Sequence, residues 1–137
     1  MKNKDMAVKT TKKRSQELTR AELEIMQILW QKGRALVHDI LDRMPEPKPA
    51  YNTVSTIVRI LEKKGFVGHT AYGKTHEYHP LVGREEYTEL YMNNVLGNFF
   101  DGSLMQMVSF FTQRDNVSTE EFDQIIGMLE QVKSESK

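Results

Sequence analysis

A row of short polar and basic side chains is predicted to lie on one side of a helix over residues 51–64. These side chains are Asn52, Ser55, Thr56, Arg59 and Lys63. In the DNA major groove, asparagine can form two hydrogen bonds to adenine, and the methyl group of threonine can contact that of thymine. Arginine and lysine near the end of such a helix suit the phosphates. The row therefore predicts a DNA-reading face, and the alternative is the solvent-facing side of an ordinary core helix.

The helix that carries this row is predicted from the spacing of its apolar residues. They recur at intervals of three and four, which places them along one side of an α-helix that faces a core. These residues are Val54, Ile57, Val58 and Leu61. Lys64 and Gly65 end the helix, because cations are favoured in the last turn and glycine readily adopts the positive φ that follows it.

Two further helices are predicted before the helix 51–64. Thr19 and Glu22 form the capping-box pattern that starts a helix, and Gly33 ends it. A shorter helix is predicted over residues 38–43, and the prolines that follow force a turn. This order is the layout of a helix-turn-helix, in which the later helix enters the groove.

A β-hairpin is predicted after the third helix. Residues 66–71 and 75–80 are β-prone, and the glycine-containing residues 72–74 between them form a turn. Lys74 places a positive charge at the tip. We therefore expect a winged helix whose wing contacts a phosphate or the minor groove.

The histidines and acids do not form a catalytic or metal-binding pattern. His76 and His79 are three residues apart in a predicted strand, where their side chains would point to opposite faces. Glu85 and Glu86 are neighbours in a predicted first helical turn, where the helix dipole favours acids. The chain has no cysteine, which excludes disulfides, thiolate metal sites and cysteine nucleophiles. We expect a protein that is not an enzyme and needs no metal or other cofactor.

The net charge of the 137-residue chain is zero, but its charges are unevenly divided. Residues 1–82 carry 15 Lys and Arg against 9 Asp and Glu, whereas residues 83–137 carry 4 against 10. A basic half attracts nucleic acid and an acidic half is repelled by it. We predict a flexible basic arm over residues 1–16, a winged-helix DNA-binding domain over residues 17–82 and a helical dimerisation domain over the rest. No apolar run approaches the roughly 18 residues of a membrane span, so we expect a cytoplasmic protein without membrane insertion.

The apolar spacing after residue 83 is helical, and the apolar faces are large. Three short amphipathic helices do not readily enclose a core, so we expect them to pair with a second copy of the chain as a homodimer. The predicted dimerisation residues are Leu90, Val95, Phe99, Leu104, Val108, Phe111, Phe122, Ile125, Ile126 and Leu129. The alternative is that these helices pack back onto the N-terminal domain.

Three stretches carry a resemblance to a known family. They are LTRAELEIMQILW at residues 18–30, YNTVSTIVRILEKKGF at residues 51–66 and YHP at residues 78–80. With them, residues 17–132 resemble the BlaI/MecI/CopY family of penicillinase, methicillin-resistance and copper-transport repressors. The resemblance implies a dimeric repressor whose winged-helix domain binds an inverted-repeat operator in double-stranded DNA, in an antibiotic-resistance or stress-type operon. Where the family's recognition helix meets bases and phosphates, this chain has Asn52, Thr53, Ser55 and Thr56.

The resemblance also bears on specificity and regulation. At one frequent basic reading position of the family this chain has Ser55, so its operator is expected to differ. In the β-lactam branch, a sensor-protease pathway cuts the repressor between Asn and Phe, and the matching pair here is Ser109 and Phe110. The copper branch binds metal through C-terminal cysteines, which this chain lacks.

Two other functions stay open at this point. The winged helix would dock a protein partner in an interaction scaffold, in which the acidic helices hold a complex together. Alternatively, a repressor would sense a small molecule in a pocket between its C-terminal helices. The aromatic residues available for such a pocket are Phe99, Phe100, Phe110 and Phe111.

Overall fold

The computed structural model describes residues 17–114 and 117–135, so the predicted arm over residues 1–16 lies outside the described residues. The elements of this part are α1 (Arg20–Lys32), α2 (Val37–Asp42), α3 (Tyr51–Lys63), β1 (Val67–Tyr72), β2 (Thr75–Pro80), α4 (Arg84–Phe100), α5 (Leu104–Thr112) and α6 (Thr119–Glu135). The predicted fold class is confirmed: a mainly helical chain with a winged helix-turn-helix followed by further helices. Across the described ranges, no helix is both long and apolar enough to cross a membrane.

The helix α2 begins and ends one residue before the predicted span of 38–43. Asp39 Oδ2 accepts a hydrogen bond from the Leu36 backbone N–H at 3.1 Å, which fixes the start of the helix. Lys48 Nζ donates to three carbonyl oxygens at the other end, at distances of 2.9 to 3.2 Å. A cation at the C-terminus satisfies carbonyls that have no partner within the helix. Side-chain hydrogen bonds therefore stabilise both ends of α2.

The core of the winged helix lies between α1, α3 and the hairpin. Its fully buried large side chains are Ile25, Met26, Leu29, Ile40, Val54, Val58, Leu61, Phe66 and Val67. Three of the four apolar residues predicted to line the inner side of α3 are among them, whereas Ile57 is half-buried. The 3.6-residue period of α3 thus fixes which of its sides faces outward.

The predicted hairpin is present, and a third segment extends it. Strands β1 and β2 pair antiparallel from Val67 opposite Pro80 to Tyr72 opposite Thr75. Ala35 adds a single bridge to Tyr78, with N–H···O distances of 2.8 and 2.9 Å. The two-residue turn between the strands has Gly73 at φ 64°, a conformation that glycine adopts without steric cost and that suits the twist of a hairpin.

The chain forms two compact units that divide after Met92. The first residues of α4 belong to the first unit because Tyr87 is buried in its core. The Tyr87 hydroxyl accepts a hydrogen bond from the Leu18 backbone N–H at 2.9 Å, and burial raises the pKa of this hydroxyl. The start of α4 is thereby anchored beside the start of α1.

The second unit contains the rest of α4 together with α5 and α6. Among its described residues none is fully buried, although many are large and apolar. Ser103 and Ser118 cap α5 and α6 by accepting hydrogen bonds from backbone N–H groups at 3.1 Å. Helices α5 and α6 are therefore capped at their N-termini, but the second unit has no buried core among its described residues.

Candidate nucleic-acid interface

The helix α3 presents its polar row to solvent. Its apolar stripe holds it on the core, because three of that stripe's side chains have no exposed surface. The exposed residues among those predicted to bind DNA are Asn52, Thr53, Thr56, Arg59, Lys63 and, beyond the helix, Lys74. Ser55 is half-buried. Apart from Ser55, the side chains of the predicted reading face therefore lie exposed on the surface.

An ion pair fixes the end of α3 against the start of α1. Lys64 Nζ lies 2.9 and 3.0 Å from the two carboxylate oxygens of Glu22, whose side chain is 6% exposed. Burial raises the pKa of the Glu22 carboxyl, but hydrogen bonds from Lys64 and from the Thr19 backbone N–H outweigh it. The net effect is a pKa below the ordinary value. The same carboxylate thus completes the α1 cap and positions α3.

A cleft of about 360 Å³ separates α3 from the hairpin, and we call it the wing cleft. Three of the predicted DNA-binding residues line it: Ser55 and Arg59 from α3, and Lys74 from the hairpin turn. Asn52, Thr53, Thr56 and Lys63 are not among its lining residues. The predicted site is therefore divided into a part inside the wing cleft and an outward-facing part of α3.

Other lining residues of the wing cleft were not predicted from the sequence, among them His38, Tyr51 and His76. The signal for Tyr51 was its spacing of four and eight residues from Ser55 and Arg59, which places all three on one side of α3. His76 lies on β2, two residues from Tyr78, which also lines the cleft. His38 has no such local signal, because α2 meets the cleft through tertiary packing.

The histidines of the hairpin lie on its two faces. The ring of His76 stacks on that of His69, with centroids 4.1 Å apart and planes 11° apart. His69 Nδ1 also contacts the carboxylate of Glu62. His79 lies instead beside Gly68. The prediction that His76 and His79 point to opposite faces agrees with these contacts. Residues 17–114 and 117–135 contain no group of three or more His, Cys, Asp or Glu that could hold a metal ion.

Most of the predicted dimerisation residues are exposed. Leu90, Val95 and Ile125 are half-buried, while the other seven, all in the second unit, are exposed, up to 76% for Phe99. A mostly apolar cavity of about 320 Å³ between α5 and α6 is lined by Val108, Phe111 and Ile125, among others. Of the four phenylalanines considered for a small-molecule pocket, Phe111 lines this cavity.

Ser109 and Phe110, the pair that matches the cleavage position of the family, lie inside α5. The Ser109 carbonyl accepts a hydrogen bond from the Gln113 backbone N–H at 3.0 Å. The guanidinium of Arg114 lies 3.9 Å from the centre of the Phe110 ring. Both residues are exposed, but their backbone is held in helical geometry.

A polar-faced helix on a buried apolar stripe, with a hairpin that carries a lysine at its tip beside it, defines a winged-helix DNA-binding transcriptional regulator. Residues 18–131 match the penicillinase repressor family, and the chain belongs to this family. It is a DNA-binding transcriptional repressor of the BlaI/MecI type.

Two relatives and one solved structure illustrate the similarity. The chain is 27% identical over 126 residues to the penicillinase repressor of Bacillus licheniformis, covering 91% of this chain and 98% of that protein. It is 25% identical over 114 residues to the methicillin resistance regulatory protein MecI of Staphylococcus aureus, covering 82% of this chain and 93% of that protein. The crystal structure of YusO from Bacillus subtilis matches with a TM-score of 0.51 at 16% identity, over 85% of this chain and 75% of that one, and shows the fold alone. The two sequence relatives are named as regulators rather than enzymes.

Proposed function

We propose that the protein represses transcription by binding an inverted-repeat operator as a homodimer, through α3 and the hairpin wing. The observation that carries the proposal is the exposed polar row on α3 above fully buried Val54, Val58 and Leu61. In this assignment Asn52, Ser55 and the neighbouring threonines read base edges. Arg59, Lys63 and Lys74 hold phosphates.

The homodimer is supported by the exposed apolar surface of the second unit. Helices α5 and α6 bury no described residue, yet they carry Leu104, Phe111 and Leu129 at exposures between 45 and 57%. Exposed apolar surface of this kind marks an interface. We assign the apolar cavity between α5 and α6 to side chains of a second copy.

The genes under control are proposed from the relatives. One relative is named for penicillinase and another for methicillin resistance, so we propose an antibiotic-resistance or stress-type operon in the bacterial cytoplasm. Release of repression is assigned to a sensor-protease pathway that cuts between Ser109 and Phe110. Proteases bind extended chain, so this step requires α5 to unfold locally first.

The experiment that tests the proposed function is DNA binding by the full-length chain at several salt concentrations. A repressor that neutralises phosphates loses affinity steeply and linearly on a plot of log K against log salt. Absence of DNA binding at low salt would contradict the proposal and favour the protein-interaction scaffold.

A further inference from the structure

We propose that the wing cleft binds one DNA backbone phosphate, and that protonation of His38 and His76 tightens this contact. The inference rests on the DNA-binding function proposed above. It adds to that function that Arg59 and Lys74 share one phosphate between α3 and the wing, and it makes operator affinity depend on pH.

Cations reach the wing cleft from both of its walls. Arg59 comes from α3 and Lys74 from the turn of the hairpin. No aspartate or glutamate is among the described residues that line the cleft. A concave site with cations on facing walls and no lining acid concentrates anions, and the anion that a DNA duplex presents is its phosphate.

The two histidines lie in the same cleft and are held by ring contacts. The ring centre of His38 is 4.6 Å from that of Tyr51, and the ring of His76 stacks on His69. A neutral imidazole donates one hydrogen bond and carries no charge, whereas a protonated one donates two and is a cation. Protonation therefore adds two donors and two positive charges to the wing cleft.

Other titratable groups surround these histidines. Around His76 are His69, which contacts the Glu62 carboxylate, and Tyr78, whose ring centre is 6.2 Å away. Around His38 are Tyr51 and the neighbouring Asp39, whose carboxylate accepts the Leu36 backbone N–H. Glu62 and Asp39 thus already have partners, and Glu77 follows His76 directly on β2.

A bound phosphate changes the charge balance of the cleft. Each protonated histidine adds its charge to those of Arg59 and Lys74, which line the same cleft. A phosphate places negative charge beside both histidines and favours their protonated form. By linkage, proton uptake then favours phosphate binding to the same extent.

The position of the cleft suits a contact next to the bases. Tyr51, Ser55 and Arg59 line it from one side of α3, while the neighbouring Asn52 and Thr56 lie outside it and are exposed. A phosphate held in the wing cleft would fix the helix at one register, so that the outward residues meet the same base pairs each time.

The test measures duplex affinity of the full-length protein at about pH 6 and about pH 8, the range in which histidine changes charge. We expect the wild type to bind about tenfold more tightly at the lower pH, since a hydrogen bond to a charged group has this order of effect. The double variant His38→Gln/His76→Gln should lose this difference and bind like the wild type at the higher pH. The matched control His79→Gln, on the other face of the hairpin, should keep it.

Two outcomes separate this inference from the proposed function. If the double variant keeps the full pH dependence, the assignment of the pH effect to His38 and His76 is wrong while DNA binding by the wild type stands. If the wild type binds no duplex at either pH, both proposals fail.

A second measurement uses the wild type alone, so it tests the inference even if the double variant does not fold. Imidazole proton signals are followed by NMR against pH, with and without duplex. Duplex should keep His38 and His76 protonated to higher pH and leave His79 unaffected, and no change at any of them would overturn the inference. Inorganic phosphate is added in a parallel sample, and if it reproduces the change while the duplex stays bound with the same affinity, the site belongs to free phosphate and not to the DNA backbone.

Discussion

Asn52 and Lys63 lie on the same helix but are assigned different contacts with DNA. For Asn52→Ala, we predict a loss of roughly 1–3 kcal/mol of binding free energy on the selected operator and little loss on random duplex. The reason is that a bidentate contact to a base is made with the correct base pair alone. Binding assays on both duplexes check this. Equal losses on the two would remove Asn52 from the reading residues.

The matched change at the phosphate-contacting end of α3 is Lys63→Ala. It should weaken binding to operator and random duplex alike, because every DNA sequence presents the same phosphates. It should also lower the slope of log K against log salt by about one unit. An unchanged salt slope would show that Lys63 does not neutralise a phosphate.

At the scale of single residues, the sequence predicted the outward row of α3 but not the composition of the wing cleft. The row follows from the helical period of one segment, so Asn52 and Thr56 could be placed without tertiary information. Assigning His38 to the same cleft as Lys74 requires knowing how α2 packs beside the hairpin. Residues brought together from three elements leave no local pattern.

At the scale of elements, the Glu22–Lys64 ion pair connects α1 to α3. Glu22→Gln should lower the free energy of unfolding at neutral pH by about 1–2 kcal/mol, a moderate value because Lys64 is partly exposed. The matched control is Glu24→Gln, on the same helix but outside this ion pair. Denaturant unfolding of the three proteins measures the difference, and equal stability of the two variants would contradict this role.

The pH dependence of that difference has a definite sign. The pKa of Glu22 is lowered in the folded protein from an ordinary value of 4.5. The stabilisation is therefore complete above about pH 4.5, and is lost as the pH falls through the lowered pKa. The free energies of unfolding of the wild type and of Glu22→Gln should therefore converge in acid. A difference between them that grew on acidification would contradict the assignment.

The hairpin turn gives a second prediction at this scale. Gly73→Ala should destabilise the winged helix by about 1–2 kcal/mol, because φ 64° is unfavourable for a residue with a Cβ atom. Lys74→Ala, at the neighbouring position without positive φ, should change stability by less than about 0.5 kcal/mol but weaken DNA binding. Thermal unfolding beside DNA titration separates the two effects. The turn assignment fails if the two variants are equally stable.

The elements were predicted well where their signals are local. The start of α3, the capping box of α1 and the hairpin turn each depend on residues a few positions apart. The missed features join distant residues: Glu22 and Lys64 are separated by 42 positions, and Leu18 and Tyr87 by 69. Likewise, Lys48 lies outside α2 and donates hydrogen bonds to carbonyl oxygens at the end of that helix. Periodicity does not encode such pairs.

At the scale of the whole molecule, the exposed apolar helices of the second unit are assigned to a homodimer. Phe111→Glu places a charge in the apolar cavity between α5 and α6 and should reduce the solution mass to that of a monomer. Gln106→Glu adds the same charge in the first turn of α5, where an acid is favoured, and should leave the dimer intact. Sedimentation at matched concentrations measures both, and a dimeric Phe111→Glu protein would place the interface elsewhere.

The central claim is that this family member is a dimeric, sequence-specific repressor, and one measurement tests it most directly. Full-length protein selects duplexes from a random pool while its solution mass is measured under the same conditions. We predict a dimer that recovers one sequence with dyad symmetry, whose half-sites are about one helical turn, or a multiple, apart. Recovery of no sequence at low salt would show that the polar row of α3 is a solvated surface and would contradict the account.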